Sequence, residues 1–83
     1  MLTVLFFARL REQLGQSSVT IELPRDDFTL GQLTELLIEQ QPDWQKLLEN
    51  TSILTSVNQQ MVDNDHVIND GDEVAYFPPV TGG

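Results

Sequence analysis

Residues 28–42 read FTLGQLTELLIEQQP and predict the one long amphipathic helix of this chain. Thr29 is a typical N-cap residue, and Gln32 three positions later completes the pattern of a capping box. One helical face carries leucines at positions 30, 33, 36 and 37. Pro42 disfavours the helical conformation at Gln41 and therefore ends the helix. We expect the helix to bury its leucine face against the rest of the domain.

Strand-like segments lie on both sides of this helix. They are rich in β-branched and aromatic residues or alternate apolar with polar side chains, and Asp70-Gly71 marks a turn before the last one. Residues 8–14 are a short helical candidate that Gly15 would end. One further apolar turn is expected around Trp44. The predicted strands are residues 2–7, 19–23, 53–58, 61–62 and 74–77, of which the first should be largely buried on both faces.

This order of elements indicates an α+β fold with a mixed sheet of four to five strands and one main helix packed on one face. The first and last strands should lie side by side, parallel, in the centre of the sheet. That is the β-grasp, or ubiquitin-like, arrangement. Residues 1–77 would form the β-grasp domain, and residues 78–83 a flexible C-terminal tail.

The tail follows the last strand directly. Pro78 and Pro79 favour an extended polyproline II backbone, and Gly82 and Gly83 have no Cβ, so they can enter a narrow slot. From Pro78 to Gly83 the reach is at most about 20 Å, at roughly 3.3–3.6 Å per extended residue. Such a tail can carry its carboxylate into the active site of a partner. The alternative is a frayed end without function.

Composition excludes several classes of function. The net charge is −9, with thirteen acids against Arg9, Arg11, Arg25 and Lys46, which disfavours nucleic-acid binding and favours a basic partner surface. The absence of cysteine excludes a disulfide framework, an iron–sulfur cluster and a thiolate nucleophile in this chain. No signal-like segment and no apolar stretch near 18 residues is present, so we expect a cytoplasmic protein that does not enter a membrane.

Three blocks of the sequence resemble the small, sulfur-carrying subunit of molybdopterin synthase. They are residues 4–8 with Arg11, Glu12 and Gly15; Val57-Asn58-Gln59; and residues 70–83, the most specific of the three. Residues 16 to 52 contribute little to the resemblance beyond their pattern of apolar and polar residues. The resemblance implies a ubiquitin-like protein whose terminal Gly83 is adenylated and then converted to a thiocarboxylate. The sulfur would pass to a pterin precursor to form the dithiolene of the molybdenum cofactor.

The resemblance also implies partners: the large subunit of molybdopterin synthase, an ATP-dependent adenylating (E1-like) enzyme, and a sulfur donor system. No side chain offers a base at fixed distance from Gly83, so the catalytic groups should belong to those partners, and this chain alone is not expected to be an enzyme or to bind a cofactor. The tail residues expected to enter the partner are Pro78, Pro79, Val80, Thr81 and Gly82.

Two other functions stay open on the sequence. The first is a sulfur carrier for another pathway, such as thiazole synthesis or protein modification, since the Gly-Gly chemistry would be the same. The second is a non-catalytic β-grasp interaction module with an inert tail.

Parity along the strands predicts a partner-facing surface. Phe7 and Phe77 should point away from the helix and lie together on adjacent strands, with Met61 at the edge. Large apolar residues exposed in a cluster usually mark a binding surface. The alternative is that they pack beneath residues 8–14. The positions expected to point inward are Val4, Phe6, Val74 and Tyr76.

Weaker candidate sites have simpler interpretations. His66 follows Asp63, Asn64 and Asp65, a spacing that suggests a metal, but a solvated turn is favoured because nothing completes a ligand set. Residues 70–72 favour a hairpin turn over a calcium loop. Arg11 is expected to form a surface pair with a nearby acid, or else to contact a partner. We therefore predict no metal site.

Overall fold

The computed structural model describes residues 1–78, and five strands form one mixed sheet in the order β2-β1-β5-β3-β4. β1 and β5 are parallel and central, whereas the other neighbouring strands are antiparallel. The α+β class, the five-stranded mixed sheet and the central parallel pair predicted from the sequence are confirmed. The strands are β1 (Leu2–Phe6), β2 (Ser18–Ile21), β3 (Leu54–Val57), β4 (Gln60–Met61) and β5 (Glu73–Phe77).

Three helices and one 3-10 turn connect these strands. They are α1 (Ala8–Leu14), α2 (Leu30–Gln40), the 3-10 turn Pro42–Trp44 and α3 (Gln45–Leu48). Gly15 ends α1 in the left-handed conformation, with φ of 78°, as predicted. Within residues 1–78, no helix is both long and apolar enough to cross a membrane.

The capping box fixes the start of α2. The backbone N–H of Gln32 donates to Thr29 Oγ1 at 3.2 Å, and the backbone N–H of Thr29 donates to Gln32 Oε1 at 3.0 Å. The Leu30 N–H also donates to the carbonyl of His66 at 2.9 Å. Three otherwise unpaired backbone donors at the helix start are thereby satisfied, and α2 is tied to the loop before β5.

The core lies between one face of the sheet and the helices. Phe6 packs edge-on against Trp44, with ring centroids 5.3 Å apart, and lies 5.9 Å from Tyr76. The Tyr76 hydroxyl is 2.6 Å from Thr34 Oγ1 on α2. The four positions predicted to point inward are all buried, which confirms the parity argument for this face. The core also contains Leu2, Leu10, Leu14, Ile21, Phe28, Leu30, Leu33, Leu37, Leu48, Val57 and Ile68.

The strands differ from the predictions mainly at their ends. β1 stops at Phe6 because Ala8 adopts a positive φ of 55°, which turns the chain into α1. β3 stops at Val57 because Asn58 and Gln59 have φ of 50° and 72° and form a two-residue hairpin turn. The expectation that the first strand is largely buried on both faces is wrong, since Thr3 is exposed.

Candidate functional site

The face of the sheet turned away from the helices carries a row of residues that crosses four neighbouring strands from β1 to β4. Leu5 pairs with Ala75, Ala75 pairs with Ser56, and Ser56 pairs with Met61. Residues directly opposite one another on neighbouring strands share a face. The two central residues, Ala75 and Ser56, are small and buried, whereas Leu5 is half-buried and Met61 is 57% exposed. The surface along this row is therefore recessed at Ala75 and Ser56, whose side chains are small, and raised at Leu5 and Met61, whose side chains are large.

A second apolar row lies at the end of β5. Phe77 pairs with Leu54, and the register of the parallel pair puts Phe7 beside Phe77. The Phe7 N–H donates to the carbonyl of Tyr76 at 3.2 Å. Phe7 is 44% exposed, and Phe77 and Leu54 are half-buried. The apolar residues of the two rows together form the outer-face patch, which consists of Leu5, Phe7, Leu54, Met61, Ala75 and Phe77.

Helix α1 does not cover Phe7. Its apolar residues Leu10 and Leu14 are buried in the core cluster, whereas Phe7, which precedes the helix, stays exposed. The alternative that these residues pack beneath residues 8–14 is thus unsupported for Phe7 and Met61, which are exposed, and stays open for the half-buried Phe77. Phe7, Phe77 and Met61 lie on the predicted face, and their role in binding a partner stays a prediction.

The charged groups near this face form no ion pairs with other described residues. In residues 1–78 the one ion pair joins the Met1 ammonium to the Asp70 carboxylate, where β1 and β5 begin. The hydrogen bond and the charge of that ammonium lower the pKa of Asp70. Arg9 and Arg11 are exposed on α1, and the described part of the chain gives neither an acid within ion-pair distance.

Pro78 is the last residue that the structure describes. It is half-buried and follows Phe77 at the end of β5. Pro79, Val80, Thr81, Gly82 and Gly83 lie outside the described residues. The chain thus leaves the domain next to Phe7 and Phe77, at the edge of the outer-face patch.

Residues 4–83 match the model of the ThiS family. The chain belongs to the ThiS family. The molybdopterin synthase sulfur carrier subunit of Escherichia coli (strain K12) is 45% identical over 83 residues, which cover 100% of both chains. That of Haemophilus influenzae is 39% identical over 84 residues, again covering 100% of both. These matches confirm the family resemblance seen in the sequence.

The fold of this ThiS-family chain matches solved structures over nearly its whole length. SAMP1 from Haloferax volcanii superimposes with a TM-score of 0.85 at 26% identity, covering 99% of this chain and 98% of that one. The match confirms the ubiquitin-like β-grasp fold predicted from the order of elements.

The weaker candidate sites of this ThiS-family chain are turns. The backbone N–H of Asp65 donates to Asp63 Oδ1 at 3.0 Å, and that of His66 donates to the Asp63 carbonyl at 3.2 Å. Within residues 1–78, no three acidic or histidine side chains are placed to hold a metal ion. Gly71, with φ of 89°, lies in a turn as expected, but this turn is not a hairpin because β4 and β5 are not neighbours in the sheet. The surface pair expected for Arg11 is not found within residues 1–78.

The structure adds residues that the sequence did not single out. Leu54 enters the outer-face patch through its pairing with Phe77, which strand register alone determines. The Asn58 side chain donates to Asp72 Oδ1 at 2.9 Å and accepts from the Glu73 N–H at 3.0 Å. It thus ties the β3–β4 turn to the start of β5. An asparagine in a two-residue turn is the available sequence signal for such a role.

Proposed function

We propose that this chain is the sulfur carrier subunit of a molybdopterin synthase and acts in molybdenum cofactor biosynthesis. The observation that carries the proposal is the position of Pro78, from which the tail leaves the domain beside the exposed outer-face patch. A partner that docks on the patch thereby meets the tail. Full-length relatives that carry the sulfur carrier name support the proposal.

The chemistry takes place at the carboxylate of Gly83. An ATP-dependent, E1-like enzyme joins this carboxylate to AMP, because a free carboxylate is a poor acyl donor to a nucleophile. A sulfur donor at the sulfide level then attacks the carbonyl carbon, a C–S bond forms, the C–O bond to AMP breaks, and AMP leaves with the electron pair of that bond. The product is a terminal thiocarboxylate whose sulfur passes to a pterin precursor to form the dithiolene.

The two kinds of subunit divide the work. This chain has no cysteine, so the sulfur is bound to the terminal carbonyl of the tail rather than to a side chain. The bases and oxyanion donors belong to the large subunit and to the activating enzyme, and this chain binds no cofactor. Gly82 and Gly83 pass through the narrowest part of the partner's active site because neither has a Cβ.

The outer-face patch holds the large subunit while the tail reaches inward. Phe7, Met61 and Phe77 are its most prominent members, and two of them are exposed large apolar side chains. A cluster of this kind is typical of a protein interface. The distance from Pro78 to Gly83, at most about 20 Å, limits how far the catalytic centre lies from the patch.

Deletion of Gly83 tests the proposal. The protein is expressed with its activating enzyme and sulfur donor, and its intact mass is measured together with pterin dithiolene formation. The full chain should gain the mass difference of one sulfur replacing one oxygen, and the deletion variant should not, with an unchanged thermal unfolding midpoint. Dithiolene formation by the deletion variant would show that Gly83 is not the carrier residue.

Protein modification is a second candidate, because one of the similar solved structures is the small archaeal modifier protein 1 of Haloferax volcanii. The same acyl-adenylate would then react with an amine of a target protein. Loss of molybdoenzyme activity on deletion of the gene supports the first proposal, whereas intact molybdoenzymes together with lost protein conjugates favour the second.

A further inference from the structure

A small groove lies beside the point where the tail leaves the domain. It encloses about 290 Å³ between α1, α3 and the loop before β3, and Pro78 is one of its lining residues. Leu10, Leu47 and Ile53 line its apolar part, and all three belong to the core cluster or pack against it. This volume is at the lower limit for a small-molecule site, so the groove fits one or two side chains better than a cofactor. The polar lining residues are Arg9, Gln13, Asn50 and Ser52.

The charge of the groove is opposite to that of the chain as a whole. Arg9 is one of four cationic side chains in a protein of net charge −9. Its side chain is exposed, and no acid of residues 1–78 lies within ion-pair distance of it. A guanidinium presents several N–H donors in a fixed planar arrangement that matches a carboxylate. The groove therefore combines an apolar floor with a donor that selects an anion.

The groove lies on the helix side of the sheet, and two of its lining residues are near the outer-face patch in the sequence. Phe7 immediately precedes α1, which carries Arg9, and Phe77 immediately precedes Pro78. A partner that covers both phenylalanines and receives the segment after Pro78 therefore lies close to Arg9 and Pro78 of the groove.

We propose that the subunit docked on the outer-face patch fills this groove with a segment that carries one apolar side chain and one carboxylate. The apolar side chain lies against Leu47 and Ile53, and the carboxylate pairs with the Arg9 guanidinium. This inference rests on the proposed function. A partner surface that is otherwise basic would repel Arg9, so a carboxylate at this point fixes the register of docking.

The competing occupant is the carboxyl end of the chain itself, since residues 79–83 follow Pro78. The proposed function requires that end inside the partner's active site. In the complex the groove is then available to the partner, and the two occupants have opposite effects on association. A carboxyl end held by Arg9 slows docking, whereas a partner carboxylate that pairs with Arg9 accelerates it.

Association rates of the full-length chain with the purified large subunit separate these cases. Arg9→Glu is compared with Arg25→Glu, which changes the net charge equally. Arg25 follows β2, whose Ile21 pairs with Leu2 at the end of the sheet away from Pro78. We expect Arg9→Glu to lower the association rate constant about tenfold at low ionic strength, with the loss shrinking as salt is added. Arg25→Glu should leave the rate unchanged or raise it, and Arg9→Lys should retain most of it.

A rate for Arg9→Glu that equals or exceeds that of Arg25→Glu overturns the proposal, because no partner carboxylate then faces Arg9. Arg9 and Arg25 are both exposed, but the Arg25 guanidinium lies 5.4 Å from the centre of the Phe28 ring, so denaturant midpoints of both variants will verify that folding is intact. Failure of the unmodified chain to bind the large subunit would contradict the proposed function itself. Normal binding of the unmodified chain with equal rates for both variants would contradict only the groove.

Discussion

Tyr76 and Phe77 are neighbours on β5, yet they lie on opposite faces of the sheet and in different environments. Tyr76 is 1% exposed, packs against Phe6 and shares a hydrogen bond with Thr34. Phe77 lies on the outer face beside the exposed Phe7 and pairs with Leu54. One strand thus contributes to folding with one set of side chains and offers the other set to a partner. A substitution on β5 should therefore lower mainly stability where the side chain faces the helices, and mainly partner binding where it faces outward.

The largest loss of folding stability is expected on the inner face of the sheet, which packs against the helices. Phe6→Ala removes a buried ring that contacts both Trp44 and Tyr76, and it should lower the free energy of unfolding by about 3–5 kcal/mol. Denaturant titration measures this directly. The midpoint should fall without a change in slope if the native state stays compact. A loss below about 1 kcal/mol would mean that the inner face does not carry the core.

The second-largest effect is expected on partner binding, and it distinguishes the outer face of the sheet from the inner face. Phe77→Ala and Phe7→Ala should each weaken binding of the large subunit by about 2 kcal/mol or more, roughly 30-fold in Kd. Because Phe7 is 44% exposed, its truncation should cost much less stability than that of Phe6. Calorimetric affinity and the denaturant midpoint are measured on the same variants. Normal affinity combined with a core-sized loss of stability would mean that the two faces are assigned the wrong way round.

Local patterns in the sequence were sufficient for much of this comparison. The spacing of Thr29 and Gln32 predicted the capping box, and the alternation along the first and last strands predicted the four inward-pointing residues that are buried. Both features depend on residues that are close together in the chain. The position of Phe7, Phe77 and Met61 on one face followed from the same alternation once the central parallel pair was assumed.

Features that depend on backbone strain or on distant contacts were not predictable. Ala8 adopts a positive φ although alanine has no preference for that conformation, so nothing in its identity fixed where β1 ends. The pairing of Met1 with Asp70 joins residues at opposite ends of the sequence, and only the parallel alignment of β1 and β5 brings them together. The groove beside Pro78 likewise needs α1, α3 and β5 in place.

Removal of the Tyr76 hydroxyl should lower the free energy of unfolding less than removal of a buried aromatic ring does. Tyr76→Phe removes the contact with Thr34, whose hydroxyl keeps a second bond to the Leu30 carbonyl at 3.2 Å. No buried donor is left without a partner, so the loss at neutral pH should be about 1 kcal/mol. Partner binding should not change, since the hydroxyl lies on the inner face.

The pH dependence of this variant gives a second readout. Burial raises the pKa of Tyr76 above its usual value of 10.0, so the folded chain keeps this proton where the unfolded chain loses it. The stabilisation is complete below pH 10 and falls as the pH rises further, by at most about 1.4 kcal/mol per pH unit. The advantage of the unmodified chain over Tyr76→Phe should therefore shrink above pH 10. A constant difference would contradict the burial of the phenol.

The smallest effect is expected at the far end of the sheet, away from both the core and the outer-face patch. Asp70→Asn removes the ion pair with the Met1 ammonium, and both groups are largely exposed to water. The denaturant midpoint should fall slightly at pH 7 and low salt, and the difference should fade as salt is added. Because the ammonium lowers the pKa of Asp70, the stabilisation is present above the usual value of 3.8 and is lost as the pH falls through the lowered one.

Affinity for the large subunit should stay unchanged, since Met1 lies where β1 begins and Phe77 lies where β5 ends. If Asp70→Asn weakened that binding as much as Phe77→Ala does, the docking surface would have to extend along the whole length of the central strands, and the contrast between Tyr76 and Phe77 would no longer locate it.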